Sequence, residues 1–257
     1  ANSFDYEEHR EETYQGLLAP QFGPIPNGFL FDDTQYPVFS YNLTLAEETL
    51  EDAGFIRQYD CDSLTESGAP TVVVEGDRDG DECRLPNVLR IMVNEGNSYR
   101  EAMGSQLYED LAEIGVVSNG TPVIWDEYLD MYYGGTWDIH FSGWAPDYLD
   151  PDNYWTPFAG SIDIGGDAYG TGYQNAELDD TILDARIEPD PSLRWQLYSD
   201  AFEIWAQDPN MIIIGQVNSV RLTHDYVELH PYVAVGAEFR WFDISKTEVI
   251  QIALMHD

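Results

Sequence analysis

Lysine is almost missing from this chain. Lys246 is the only one, so arginine supplies nearly all of the 11 basic residues, against 48 acidic residues and a formal net charge of −37. The acids are scattered rather than gathered in a tail, which is unlike a disordered acidic segment. Such a surface repels phosphate groups, so the composition excludes nucleic acid and anionic membranes as partners.

Two interpretations of this charge remain, a surface that binds cations and a surface adapted to very high salt. The scatter of the acids and the scarcity of lysine favour the second, and they indicate an extreme halophile.

Long apolar runs are also lacking, since none approaches the ~20 residues that a membrane span requires. With 257 residues, of which 43% are hydrophobic, the chain can still bury a substantial core in one or two domains.

Signatures of catalysis are missing as well. The five histidines have no H-E-x-x-H or similar metal spacing, and there is neither a Gly-x-Ser-x-Gly elbow nor a Gly-Lys phosphate loop. We therefore predict a protein that is not an enzyme and has no metal or cofactor.

The two cysteines, Cys61 and Cys83, flank an insertion rich in Gly, Asp and Ser. In an exported protein this pair predicts one disulfide, worth about 3 kcal/mol through restriction of the unfolded loop, with two free thiols as the alternative. Asp77 to Glu82 within the insertion suggests calcium. However, an EF-hand loop needs Gly at its sixth position and Glu at its twelfth, where this chain has Glu82 and Val88. A solvated turn is favoured.

Strand and helix patterns alternate along the chain. Capping boxes at Thr44–Glu47 and Ser98–Glu101 predict two helix starts, and Asp190-Pro191 predicts a third. The other predicted elements are strands at 89–93, 139–143 and 211–217, helices at 126–133 and around 178–186, and a glycine-rich rim loop at 161–172. The β-α-β-α-β order predicts an α/β fold with a largely parallel sheet flanked by helices.

The stretch from Phe141 to Phe158 is dense in aromatic residues and carboxylates, and Pro146 and Pro151 predict that it is irregular. It follows the carboxyl end of a predicted strand, where ligands bind in open α/β sheets. An aromatic face beside a carboxylate suits a ligand with an apolar body and a cationic or hydroxylated head. The alternative is a loop that merely covers the core.

The run Gly143-Trp-Ala-Pro-Asp-Tyr-Leu-Asp-Pro151 resembles the Gly-Trp-x-x-Asp-Tyr-x-Asp-Pro signature of the peptide/nickel class (family 5) of ABC-transporter solute-binding proteins. Further segments match that family in order and approximate spacing, namely 23–26, 45–54, 108–115 and 194–209. The resemblance covers nearly the whole chain and corresponds to the C-terminal half of a family member.

This resemblance implies a type II periplasmic-binding-protein-like lobe. Residues 1–28 would be the crossing segment from a missing first lobe, 29–215 the second ligand-binding lobe, and 216–257 the return into the first lobe. The first lobe, a secretion signal and a membrane anchor are expected upstream, which implies an extracytoplasmic protein at the cell surface.

The implied function is non-catalytic binding of a solute, an oligopeptide or dipeptide, as a monomer that delivers it to an ABC permease. In peptide-binding members, the aspartate at the position of Asp147 pairs with the ligand's α-amino group, and the strand matching Gly143 to Ala145 hydrogen-bonds the peptide backbone. Trp144 is expected to stack on the ligand. Pro146 replaces a commonly small residue and can re-aim Asp147, and other members bind nickel chelates or oligosaccharides.

Two alternatives come from the residues themselves. A secreted glycoside hydrolase would use Asp147 and Asp150, because such enzymes need two carboxylates that flank the scissile bond. A surface domain stabilised by calcium would be organised by Asp77 to Glu82.

The charge generates the first prediction. We expect the melting temperature to rise between dilute buffer and roughly 1 M salt, where the Debye length falls to about 3 Å and repulsion between surface acids is screened. Thermal melts followed by circular dichroism over a potassium chloride series measure it. A melting temperature that stays flat over the series would contradict the halophile interpretation.

Overall fold

The computed structural model describes residues 1–26, 39–66, 82–120, 122–144, 146–162, 166–217, 227–229 and 242–244. The helices are α1 (Tyr6–Glu8), a π-helical turn (His9–Thr13), α2 (Leu43–Asp52), a 3₁₀ turn (Cys61–Ser63), α3 (Ser98–Glu113), α4 (Trp125–Gly134), α5 (Asp152–Phe158), α6 (Asp167–Thr171), α7 (Ala176–Ile187) and α8 (Pro191–Gln207). The strands are β1 (Leu18–Ala19), β2 (Tyr59–Asp60), β3 (Thr65–Glu66), β4 (Glu82–Cys83), β5 (Asn87–Asn94), β6 (Ser118–Asn119), β7 (Pro122–Val123), β8 (Ile139–His140), β9 (Gln216–Val217), β10 (Val227–Leu229) and β11 (Phe242–Ile244).

Strand β5 is the centre of a five-stranded sheet. The strands β3, β6, β7 and β8 all pair with it in parallel, with β8 in the register Ile91↔Ile139 and Met92↔His140. Val88, Ile91 and Val93 are each at most 3% exposed, as expected for a parallel strand covered on both faces. The predicted α/β class and parallel sheet are confirmed.

Two apolar clusters form most of the core. The first packs α2 and α3 on β5 and includes Phe4 and Tyr6 from the N-terminal segment. The second packs α5, α7 and α8 together through fully buried Trp155 and Trp205. Of the helices in the described ranges, none is long and apolar enough to cross a bilayer.

Residues 23–25 pack tightly against the helical cluster. A Cβ on Gly23 would clash with the ring of Phe202, so only glycine fits there, and Ile25 is buried in the same cluster. Just before these residues, β1 pairs antiparallel with β9 through Leu18↔Val217. The chain at residues 18–19 and the chain at residues 216–217 therefore lie side by side. The predicted boundary at residue 28 lies outside the described residues.

Some sequence predictions of helices are confirmed and others need correction. Helix α4 ends at Gly135, and Asp190 caps α8 through hydrogen bonds from the Ser192 and Leu193 amides, both as predicted. The capping boxes at Thr44 and Ser98 are wrong, because Asn42 and Asn97 are the caps. The side chain of each asparagine accepts a hydrogen bond from the backbone amide three residues further on.

Predictions of irregular structure and of strands were less accurate. The aromatic stretch contains α5, and the predicted rim loop at 161–172 contains α6. The predicted strand at 211–217 is reduced to Gln216–Val217, and Ile212 is half exposed. The predicted strand at 139–143 ends at His140, although the Phe141 amide still donates to the carbonyl of Met92.

The predicted disulfide between Cys61 and Cys83 is present, with the two Cα atoms 5.3 Å apart. Beside it, Arg84 is fully buried, and its guanidinium donates to the carbonyls of Ile114 and Phe55 at 2.7 and 3.0 Å. It also pairs at 3.2 Å with the carboxylates of both Glu47 and Glu51 on α2. One cation thus joins α2, the end of α3 and the segment after the insertion. Residues Asp77 to Asp81 lie outside the described residues.

We predict that Arg84→Met lowers the free energy of unfolding by about 2–4 kcal/mol, because it leaves the buried Ile114 carbonyl and the partly buried Phe55 carbonyl without their donor. Arg57→Met is the matched control: Arg57 also pairs with Glu47, but its side chain is 37% exposed. Its loss should cost less than about 1 kcal/mol. Urea unfolding at constant salt compares the two, and equal losses would contradict the structural role of Arg84.

An acidic cluster lies where the N-terminal segment meets α3. Burial raises the pKa of Asp110 to about 6, although a hydrogen bond from the Asp5 amide opposes this rise. The carboxylates of Glu113, Asp5 and Glu8 raise it further. Because the folded state binds this proton more tightly than the unfolded state, ionisation of Asp110 destabilises the fold as pH rises through about 6.

We therefore expect Asp110→Asn to raise the melting temperature at pH 8 and to leave it nearly unchanged at pH 4, where the wild-type carboxyl is protonated in the folded state. Thermal melts at both pH values and fixed salt measure the difference. Glu109→Gln, on the same helix and exposed, is the control for removal of one charge. Equal stabilisation by Asp110→Asn at pH 4 and pH 8 would show that ionisation is not the cause.

Candidate functional site

The candidate site begins where β8 ends. Gly143 and Trp144 directly follow the strand end at the carboxyl edge of the sheet, and both are exposed to solvent. The hydroxyl of Tyr128, on α4, donates to the Phe141 carbonyl at 2.8 Å and lies 3.0 Å from Nδ1 of His140. Helix α4 therefore fixes the strand end from which the site starts. Ala145 lies outside the described residues.

Trp144 and Asp147 are brought together by Asn153, which is only 7% exposed. Its side-chain oxygen accepts one hydrogen bond from the Trp144 indole at 2.9 Å and another from the Asp147 amide at 3.0 Å. The Trp144 ring, 47% exposed, also meets Phe158 edge-to-face at 5.6 Å. An aromatic surface and a carboxylate thus lie on one short turn.

The Asp147 side chain is exposed, and no ion pair within the described ranges involves it. Asp150 differs completely. Both of its oxygens accept from Arg194 at 2.7 Å, and one also accepts from the Asp152 amide. Asp150 therefore shapes the turn and attaches it to α8.

Arg100 brings a positive charge to the same place. Its Nη2 would lie 2.9 Å from a Cβ on Gly143, so the guanidinium lies close to the Gly143 backbone. The other terminal nitrogen donates to Asn94 Oδ1 at 2.8 Å, at the end of β5. Arg100 on α3 thus places a cation beside the ends of the paired strands β5 and β8, next to the turn that carries Asp147.

Arg100 and Asn153 were both missed by the sequence analysis. Arg100 was assigned only to a helix start, and a helical pattern does not tell which neighbouring loop a long side chain reaches. Asn153 was hidden because Pro151 suggested irregular structure. The signal that could have found it is Pro151 itself, since proline is favoured at helix N-termini.

Asp150 does not suit the role of the general acid in a glycosidase. Burial alone would raise the pKa of Asp150, but the hydrogen bonds from Arg194 and the Asp152 amide outweigh burial and lower that pKa. A general acid of a glycosidase needs a raised pKa instead. In the described part of the chain, no three His, Cys, Asp or Glu side chains are grouped to hold a metal ion.

Residues 1–166 match the model of a family described as "Bacterial extracellular solute-binding proteins, family 5 Middle". The chain belongs to this family. The family is one of binding proteins rather than enzymes, and it acts outside the cytoplasm.

The relatives of this chain are named for different ligands. It is 28% identical over 128 residues to "Probable di/tripeptide-binding protein 5" of Pseudomonas aeruginosa, covering 49% of this chain and 24% of that protein. It is 22% identical over 191 residues to "Heme-binding protein A" of Haemophilus influenzae, covering 74% of this chain and 30% of that protein.

Among solved structures, the periplasmic binding protein DppA from Helicobacter pylori, in complex with the peptide STSA, superposes with a TM-score of 0.69 at 18% identity. The match covers 95% of this chain and 43% of DppA, and it shows the periplasmic-binding-protein fold. This solute-binding protein therefore spans less than half the length of each of the three proteins.

Proposed function

We propose that this chain is the second ligand-binding lobe of a two-lobed receptor that captures a peptide and delivers it to an ABC permease. The observation that carries the proposal is that Asn153 holds the exposed Trp144 ring and the exposed Asp147 on one turn after β8, where no ion pair within the described residues involves the Asp147 carboxylate. A free carboxylate next to an aromatic face suits a ligand with an ammonium group and an apolar side chain.

The electrostatics support a zwitterionic ligand. Asp147 offers a negative charge for a peptide's α-amino group, and the Arg100 guanidinium beside Gly143 offers a positive charge for a carboxylate. The backbone at Gly143 has no side chain of its own, so a peptide backbone can approach it closely. The name of the Pseudomonas aeruginosa relative and the peptide bound to the Helicobacter pylori structure agree in ligand class.

The organisation we propose follows the same comparison. Residues 1–28 and 216–257 would connect to the first lobe, and the paired strands β1 and β9 mark the passage on this side. Closure of two lobes around the ligand would stabilise the bound state through its differential affinity for the closed form. We further propose that the receptor is monomeric, is anchored at the cell surface upstream of this chain, and works at high salt.

We predict that Asp147→Asn weakens binding of the tetrapeptide Ser-Thr-Ser-Ala by about 30-fold or more, because loss of one partner of a desolvated charge pair costs about 2–5 kcal/mol. Calorimetry on the protein with both lobes measures this. N-acetylation of the peptide removes the ammonium group, so it should weaken binding to wild type and have little further effect on Asp147→Asn.

The matched control is Asp180→Asn on the exposed face of α7, which removes the same charge away from the site. Trp144→Ala should also weaken binding, through the loss of stacking area. Asp150→Asn is unsuitable as a control, because the ion pair with Arg194 makes it a test of stability. If Asp147→Asn binds the peptide like wild type, Asp147 is not the counter-charge. If wild type binds no peptide at all, the peptide class is wrong.

A further inference from the structure

The buried amide of Asn153 is the part of the site that neither the family signature nor the proposed ligand contacts explain. We propose that Asn153 is a positioning residue that orients the Trp144 ring and the Asp147 backbone, and so sets the geometry in which the ligand's cationic head is received. The effect on the ligand's cationic head rests on the proposed function, whereas the orientation of Trp144 and Asp147 by Asn153 does not.

The geometry supports one shared anchor. A single oxygen of Asn153 accepts both hydrogen bonds, from the Trp144 indole at 2.9 Å and from the Asp147 amide at 3.0 Å. Neither Trp144 nor Asp147 is buried, so packing alone does not hold them. A buried acceptor that satisfies two donors on an exposed turn restricts that turn to one arrangement.

Asn153 is itself held firmly. It lies in the first turn of α5, where its backbone amide donates to the Asp150 carbonyl at 3.0 Å. Its neighbour Asp152, in the same turn of the helix, accepts hydrogen bonds from the Tyr148 hydroxyl and from Thr156. The anchor therefore belongs to a helix in the core, and the turn it holds belongs to the surface.

Two substitutions at Asn153 distinguish the loss of its hydrogen-bond acceptor from a change in the volume of its side chain. Asn153→Leu keeps a similar volume but removes the acceptor, whereas Asn153→Asp keeps an oxygen in the same place. An orienting role predicts that aspartate preserves the site and leucine does not. A role in packing alone predicts the reverse, because leucine fills the buried space without a charge.

The first measurement is hydrogen exchange of the Trp144 indole and the Asp147 amide, followed by NMR on the ligand-free 257-residue chain. In wild type, the Trp144 indole should exchange at least about fivefold more slowly than that of Trp125, because one net hydrogen bond is worth about 1 kcal/mol. The two residues are 47% and 51% exposed, so exposure alone predicts similar rates. This comparison needs no variant.

In Asn153→Leu, the Trp144 indole and the Asp147 amide should both lose their protection from exchange. The Arg90 amide donates to Asp138, just before β8, and it should stay protected. Asn153→Asp should restore both. Equal exchange of Trp144 and Trp125 in wild type, or unchanged protection in Asn153→Leu, would overturn the orienting role.

The second measurement is calorimetry with Ser-Thr-Ser-Ala on the protein with both lobes. Asn153→Leu should bind about tenfold more weakly, and addition of Trp144→Ala should bring much less than the sum of the two losses. Wild-type affinity in Asn153→Leu would overturn the effect on the ligand. If wild type does not bind the peptide, the proposed function fails, and the exchange experiment still decides the orienting role.

Discussion

The ion pair between Asp150 and Arg194 is the constraint on which the geometry of the site depends. Both oxygens of Asp150 lie 2.7 Å from the guanidinium, whose third nitrogen donates to the Ala185 carbonyl at the end of α7. One side chain therefore joins the loop after β8 to the turn between α7 and α8. Planar, bidentate pairs of this kind fix direction as well as distance.

Arginine is scarce in this chain, and several of the arginines that the structure describes make internal contacts. Arg84 holds α2 to the end of α3, Arg90 pairs with Asp138, and Arg194 holds the site loop. Few cations are then left to neutralise the remaining acids at the surface. The same composition that gives the chain its charge of −37 is the reason why we expect its stability to depend on dissolved salt.

Local patterns predicted the elements whose signals are local. The helix from Pro191 to Gln207 has its cap, its proline and its buried aromatic face within one stretch of sequence, and it was predicted nearly to the residue. The central strand was recognised by its apolar run. The helix after Pro151 was missed because a proline can end a strand or helix but can also stand at the start of a helix. Only the packing of α5 against α7 decides that Pro151 begins a helix. The apolar run at 211–217 was misassigned because such a run does not by itself supply a partner strand.

The sequence alone determined the α/β class, the disulfide and the family signature, and through that signature it predicted Gly143, Trp144 and Asp147 as residues of the site. These follow from the identity and order of neighbouring residues, which a single chain displays. Only the tertiary structure decided that Asn153 supports Trp144 and Asp147, that Asp150 is committed to Arg194, and that Arg100 reaches Gly143. Arg100 and Arg194 lie more than forty residues from their partners, and their contacts depend on how sheet and helices pack. Asn153 lies close in sequence, but its role depends on α5 being a helix, which packing determines.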